Sequence, residues 1–314
     1  MFSMADHGDD ISWRTLRCIV HDWVGTAAEL AEVMPLHGGS INTTVALTTT
    51  GGDRAVLKIA QHRVDHSYVR EAFQLNVLRG IGVPTPQVYS CKVGTLDEPY
   101  SYLLMEFIDG IDLAAAKNSC DASQFDHVQM HLADLMQTIH SQTHSHYTRL
   151  TDGERQEFLR WPEFYRTMYD GIWQEADKLA FLPVKTRKRI ARIHERLDRF
   201  IEHADGPRLV HGDLWSSNVM ARQDHFGKWW ICAILDPNCK YGHSEAELAY
   251  MELFRTVTPA FLRAYQSTGR LTSDYHDVRK PIYQMYDLLN HLQLFGAEYL
   301  KPLMGVLEKT ERLV

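Results

Sequence analysis

Three polar residues on two short stretches of this 314-residue chain have the types and spacing to move a phosphoryl group. In Leu209-Val210-His211-Gly212-Asp213-Leu214-Trp215-Ser216-Ser217-Asn218, an apolar strand end runs into His-Gly-Asp, and an Asn follows the Asp by five residues. Phosphoryl transfer needs a carboxylate beside the acceptor hydroxyl and oxygen ligands for Mg²⁺. Asp213 suits the first role and Asn218 the second, with His211 bracing the loop between them. An isolated His-Gly-Asp is an ordinary turn, so the weight rests on the Asn and on a second acid downstream. That acid is Asp236, at the end of the apolar run Ile231-Cys232-Ala233-Ile234-Leu235, where it can chelate the metal that bridges nucleotide phosphates.

The first third of the chain supplies a cation for the phosphates. Ala55-Val56-Leu57-Lys58-Ile59 resembles the V-A-I-K strand of protein kinases, and Glu71, thirteen residues on, can pair with Lys58. Gly38-Gly39-Ser40-Ile41-Asn42 is a turn able to bring backbone N–H groups over phosphates, with Gly38, Gly39, Ser40 and Asn42 as its nucleotide-binding candidates. It is neither a Walker A loop nor a full G-x-G-x-x-G. Leu104-Met105-Glu106-Phe107-Ile108-Asp109-Gly110 reads as a hinge, with Met105 as gate and the backbone of the Glu106, Phe107 and Ile108 stretch offered to adenine. Asp236 stands where protein kinases carry the Asp of D-F-G, with Pro237 in place of the Phe. Each signal alone has a bland reading: a solvated strand lysine, an edge strand, a turn. Their order along the chain is what makes them specific.

These residues need a scaffold. An amphipathic helix carries Ile11, Leu16, Ile19 and Trp23 on one side, followed by β signals at 32–36, 43–50 and 54–60. Periodicity places a helix over 67–79 with Val69, Phe73, Val77 and the neighbouring Leu78 as its apolar stripe, then strands at 87–93 and 101–107. After residue 110 the pattern turns helical, over 122–142, 161–180, 184–204, 244–267 with a break at Pro259, and 275–299, interrupted by β-like runs at 208–210 and 229–235. The expected fold is α+β and two-lobed, protein-kinase-like: a small antiparallel β lobe over 1–108 that binds nucleotide, and a helical catalytic and substrate lobe over 109–314. The lobes would flank a cleft.

Composition narrows the class. Hydrophobic residues make up 45% and charged residues 23%, the balance of an ordinary globular protein. A net charge of −7 disfavours nucleic acid or an anionic membrane as the main partner. Five cysteines without a C-x-x-C pair read as reduced intracellular thiols. The acidic start has no apolar signal region, and no run is long enough to span a bilayer, so a cytoplasmic location is expected.

Taken together, the motifs resemble the fructosamine (ketosamine) kinase family, within the wider aminoglycoside phosphotransferase and choline kinase group. His211 to Asn218 is close to the family's H-G-D-L-W-S-x-N, and Asp236-Pro237 with Tyr241-Gly242-His243-Ser244-Glu245 and Glu247-Leu248-Ala249 follows its D-P-x-x-x-Y-G-H-x-E-x-[DE]-L-A run. Tyr283 to Gly296 resembles its C-terminal helix, and the likeness spans roughly 35–300. The resemblance implies ATP and Mg²⁺ as cofactors and a ketosamine or other glycated amine, free or protein-bound, as substrate. Phosphorylating the sugar hydroxyl makes the adduct fall apart and frees the amine. It further implies that Trp215 and His291 shape the sugar pocket, with His211 and Tyr241 on the substrate side.

Three stretches depart from the pattern: Ser217 for Gly, Asn238 for a small residue, and Arg255-Thr256-Val257 for Gly-Gly-Phe; Ser40 stands where some redox-sensitive relatives carry Cys. Those at Asn238 and Arg255–Val257 bear on substrate identity. An antibiotic- or metabolite-modifying phosphotransferase on the same scaffold is the alternative. A non-catalytic nucleotide-binding scaffold is disfavoured, because Lys58, Asp213, Asn218 and Asp236 are all present.

Overall fold

The computed structural model describes residues 11–36, 43–61, 65–95, 98, 100–202, 205–267, 271–310 and 313. Gly38, Gly39, Ser40 and Asn42 lie outside these. The chain divides into two compact units: Met1–Gly110 with Cys232–Asp236, and Ile111–Ile231 with Pro237–Val314.

The first unit opens with α1 (Trp13–Val24). The Ser12 side chain accepts the Thr15 N–H at its start, and Gly25, at φ +99°, ends it. Five strands follow, β1 (Leu30–Pro35), β2 (Thr43–Thr49), β3 (Arg54–Gln61), β4 (Val88–Lys92) and β5 (Tyr100–Glu106), with α2 (Ser67–Gly80) between β3 and β4. They form one antiparallel sheet in the order β1-β2-β3-β5-β4. Strand alternation sorts the side chains into two clusters. Ala55, Leu57 and Ile59 join Leu16, Ile19 and Val20 of α1 on one face, while Val56 and Ala60 join Leu103, Met105 and α2 on the other. Lys58 shares the second parity, so its side chain is on the α2 face. Each buried Leu, Ile or Val contributes about 1.5–3 kcal/mol.

The buried stripe of α2 keeps only Leu78 of the expected one. Tyr68, Ala72, Leu75 and Leu78 are buried, whereas Val69, Phe73 and Val77 are only partly so. Glu71 stands three residues after Tyr68 and four before Leu75, and therefore faces the sheet with them.

The second unit contains β6 (Ile111–Asp112), α3 (Leu113–Ser119), α4 (Ala122–Ser141), β7 (Thr148–Arg149), α5 (Trp161–Ala176), α6 (Val184–Glu195), α7 (Leu197–Ile201), β8 (Arg208–Val210), β9 (Val219–Gln223) and β10 (Trp229–Ile234), the last of which runs on into the segment of the first unit. It continues with β11 (Lys240–Gly242), α8 (Ser244–Leu253), α9 (Pro259–Gln266), α10 (Lys280–Phe295) and α11 (Leu300–Lys309). The short strands form two sheets, ordered β10-β9-β6 and β7-β11-β8. Local chemistry sets several boundaries. Asp121 and Gln124 make a reciprocal capping box on α4, and Pro162, Pro259 and Pro281 sit in the first turns of α5, α9 and α10.

Three helical expectations need correction. The 184–204 helix breaks at Arg196, whose ψ of 11° leaves the α region. The 244–267 helix ends at Leu253, six residues before Pro259, and Arg255 turns left-handed at φ +55°. The last expected helix opens as a π turn over Tyr275–Arg279, and Gly296, at φ +94°, stops it before α11. The short elements β6, α3, β7, β9 and β11 were not anticipated; two- to seven-residue pieces carry too little periodicity.

Candidate active site

In the first unit, the parity of β3 and the stripe of α2 bring Lys58 and Glu71 together. Lys58 Nζ lies 2.6 Å from Glu71 Oε1 and 2.5 Å from Asp236 Oδ1. Burial by itself would lower the lysine pKa, but the two carboxylates outweigh it and raise it, keeping the ammonium charged. Burial raises the Glu71 pKa against the pull of Lys58. Asp236 reaches this pair because Cys232–Asp236 belongs to the first unit, where the Ile234 N–H donates to the Pro84 carbonyl at 2.8 Å. Asp236 has φ +54°, a left-handed conformation on a non-glycine residue directly before Pro237. Both features are unfavourable, at about 1–3 kcal/mol of strain, and such strain concentrates at functional positions.

The hinge is partly as expected. Met105 is buried between the sheet and α2. Glu106, however, spends its backbone N–H on the Gln87 carbonyl (2.8 Å), and its carboxylate accepts the Gln87 N–H (3.0 Å). Its donor is therefore committed, and only its carbonyl remains for a base. The Arg54 guanidinium covers the Phe107 ring at 3.6 Å, and Ile108 lies just beyond the end of β5.

In the second unit, the loop after β8 is locked from beneath by Glu247 of α8. Its carboxylate accepts the His211 N–H at 3.0 Å, the Gly212 N–H at 2.5 Å and a bond with His140 Nε2 at 2.9 Å. Burial would raise the Glu247 pKa, but His140 and the amide hydrogen bonds overcome it and hold the group below the usual carboxylate range. Gly212 has φ +83°, and a Cβ there would come within 2.3 Å of both the Asn238 carbonyl oxygen and Lys240 Nζ. Only glycine fits. His211 is fully buried, and its Nδ1 accepts the Asp213 N–H at 3.3 Å. It braces the loop and has no surface to offer a substrate, which corrects its placement on the substrate side.

Asp213 Oδ1 accepts the Tyr250 hydroxyl at 2.6 Å. Burial, then the Asp213 charge, push the Tyr250 pKa up, so the phenol keeps its proton and acts as donor. Asn218 Nδ2 donates to the Asp213 carbonyl at 2.8 Å, which fixes the amide and leaves its Oδ1 as an oxygen ligand. The oxygen donors open to a metal are thus the Asn218 amide in the second unit and, separately, the Asp236 carboxylate in the first. Among the described residues no group of three or more His, Cys, Asp or Glu side chains could hold an ion alone. A sparse, all-oxygen set fits Mg²⁺ that completes its shell with phosphates and water.

The expected sugar-pocket residues do not converge. Tyr241 pairs within the β7-β11-β8 sheet and stacks on His144, with ring centroids 4.7 Å apart. His291 donates to the Asp287 carbonyl at 2.8 Å and packs against Phe254 and Tyr299. Trp215 stays 38% exposed at the start of the 3-10 turn Ser216–Asn218. None of the three lines the cavity of about 50 Å³ beside the loop, whose wall includes Gly212, Lys240, Tyr250, Asp287, Tyr165 and Trp161. Lys240 and Asp287 stand inside recognised runs and Tyr250 directly follows one, but at 27 to 74 residues beyond Asp213 nothing local gives them a role beside it. Glu247 sat within a recognised run without a role, and its signal was its place there.

Comparison with known proteins now decides the family. The fructosamine kinase model matches residues 12–312. This chain belongs to the fructosamine kinase family. A probable ketoamine kinase of Enterococcus faecium is 30% identical over 283 residues, covering 85% of this chain and 91% of that protein. Among solved structures, a candidate fructosamine-3-kinase from Thermobifida fusca superposes with a TM-score of 0.74 at 22% identity, covering 96% of this chain and all of that one. An aminoglycoside phosphotransferase, in a ternary complex with AMP-PNP and hygromycin B, superposes with a TM-score of 0.65 at 18% identity over 95% and 99% of the two chains. These structures share the fold. The chain is a phosphotransferase of the kinase-like fold that uses ATP.

Proposed function

We propose that this enzyme transfers the γ-phosphoryl group of ATP to a sugar hydroxyl of a ketosamine, and that Asp213 is the base. The observation that carries this is the Asp213 carboxylate on a loop locked by Glu247, with Oδ1 held by Tyr250 and Oδ2 left to meet a hydroxyl. Asp213 takes the proton of the hydroxyl as its oxygen bonds to phosphorus; the bond to ADP breaks, and a phosphate ester results. Lys58, oriented by Glu71, contacts the α and β phosphates. The backbone of the 105–108 stretch and the turn of Gly38, Gly39, Ser40 and Asn42 hold the nucleotide. Asn218 and Asp236 would each offer an oxygen to Mg²⁺, which would neutralise charge on the phosphates.

The substrate is a small glycated amine, and acceptance of protein-bound ketosamines is part of the proposal. So is a cytoplasmic location, in keeping with the five free cysteines; among the described residues no helix is long and apolar enough to cross a membrane. The test is Mg·ATP consumption with ribulosyl-lysine, fructosyl-lysine and several aminoglycosides, with Asp213→Asn as the blank. Turnover of a ketosamine above the blank is expected. Loss of the general base should lower it by about 10²–10⁴-fold while ATP binding persists. Turnover of an antibiotic alone would keep the chemistry and reject the deglycation role.

A further inference from the structure

The cavity beside Asp213 has an imbalance of hydrogen-bonding groups. Its acids are engaged: Glu247 accepts from two backbone amides and meets His140, Asp213 accepts from Tyr250, and Asp287 Oδ1 accepts from Tyr169 at 3.2 Å. Its donors are not. Lys240 stands largely enclosed with its Nζ against Gly212, and among the described residues it has no hydrogen-bond or ion-pair partner. The Tyr165 hydroxyl, 1% exposed as a residue, makes no hydrogen bond of good geometry, with only the neighbouring Tyr169 hydroxyl near enough to interact among the described residues. An enclosed ammonium without an acceptor and a hydroxyl without a well-made hydrogen bond are both unfavourable. Burial lowers the Lys240 pKa, in keeping with that cost.

We propose that Lys240, with the Tyr165 hydroxyl as second donor, forms a subsite for an oxyanion carried by the acceptor, next to the base Asp213. This rests on the acceptor being a ketosamine. Two sources have this chemistry: the carboxylate of a ketosamine built on a free amino acid, and a phosphate on the far end of the sugar. Trp161 and Tyr165 supply an apolar wall for the carbon skeleton beside the anion. The subsite makes Lys240 a specificity-determining residue that a neutral glycated amine cannot use.

Isothermal titration and turnover on two matched pairs test this. N-fructosyl-glycine against N-fructosyl-glycinamide changes only the carboxylate; N-ribulosyl-propylamine with and without a 5-phosphate changes only the phosphate. The anionic member of one pair should bind at least about tenfold tighter, the worth of one charge-assisted hydrogen bond, and which pair it is names the source. Lys240→Met should bring that ratio near one, and Tyr165→Phe, a gentler change, should reduce it. A ratio near one in both pairs with the wild-type enzyme overturns the subsite, as does a preference that survives Lys240→Met. Turnover without anion preference refutes only the subsite. Anion preference in binding without turnover upholds the subsite and refutes the kinase reading.

Discussion

Asp213 is tuned by one neighbour, Tyr250, which donates to it at 2.6 Å. Removing a hydrogen bond to a charged group costs about 1.5–3 kcal/mol. Tyr250→Phe should therefore lower kcat by about 10- to 100-fold with the KM for ATP unchanged, and steady-state kinetics in both substrates would reveal a merely structural tyrosine by an unchanged kcat. Asp287 makes a different prediction. Burial pushes its pKa up to about 7, above the usual carboxylate value. The folded state then holds its proton where the unfolded state has lost it, so stability falls as pH rises from about 4 towards 7. Asp287→Asn should raise the melting temperature more at pH 8 than at pH 4, and an equal change at both would reject the titration.

At the scale of elements, chemistry depends on which way short segments face. Lys58 and Glu71 were legible as a pair from a strand lysine and a helix glutamate thirteen residues apart. The stripe that orients the glutamate was not, because α2 offers two apolar sets and only packing against Ala60, Leu103 and Met105 selects Tyr68, Ala72 and Leu75. The His-Gly-Asp turn is similar: its residues were legible, its support from Glu247 was not. Gly212→Ala forces a Cβ to 2.3 Å from the Asn238 carbonyl at a left-handed φ. It should abolish measurable turnover while far-UV circular dichroism stays native, since the damage is confined to the loop. Wild-type kinetics in this variant would show that the loop relaxes freely.

At the scale of the molecule, the chain returns Cys232–Asp236 to the unit formed by its first 110 residues. A ligand that binds only the folded protein stabilises it, by about 2.7 kcal/mol at a hundredfold excess over Kd. Mg·ATP should raise the melting temperature by a few degrees, and Asp236→Ala should remove most of the Mg²⁺-dependent part of that shift; an undiminished shift would reject Asp236 as a metal ligand. The sequence by itself determined the family, the antiparallel-then-helical order and the polar residues of phosphoryl transfer, because those depend on residue type, local spacing and order. Tertiary structure alone decided that Tyr250 holds Asp213 and, with Glu247, Lys240 and Asp287, lines the cavity beside its loop, and that Trp215, Tyr241 and His291 are not in that lining. Contacts across 27 or more residues are set by how helices pack, and a single sequence carries no periodicity at that range.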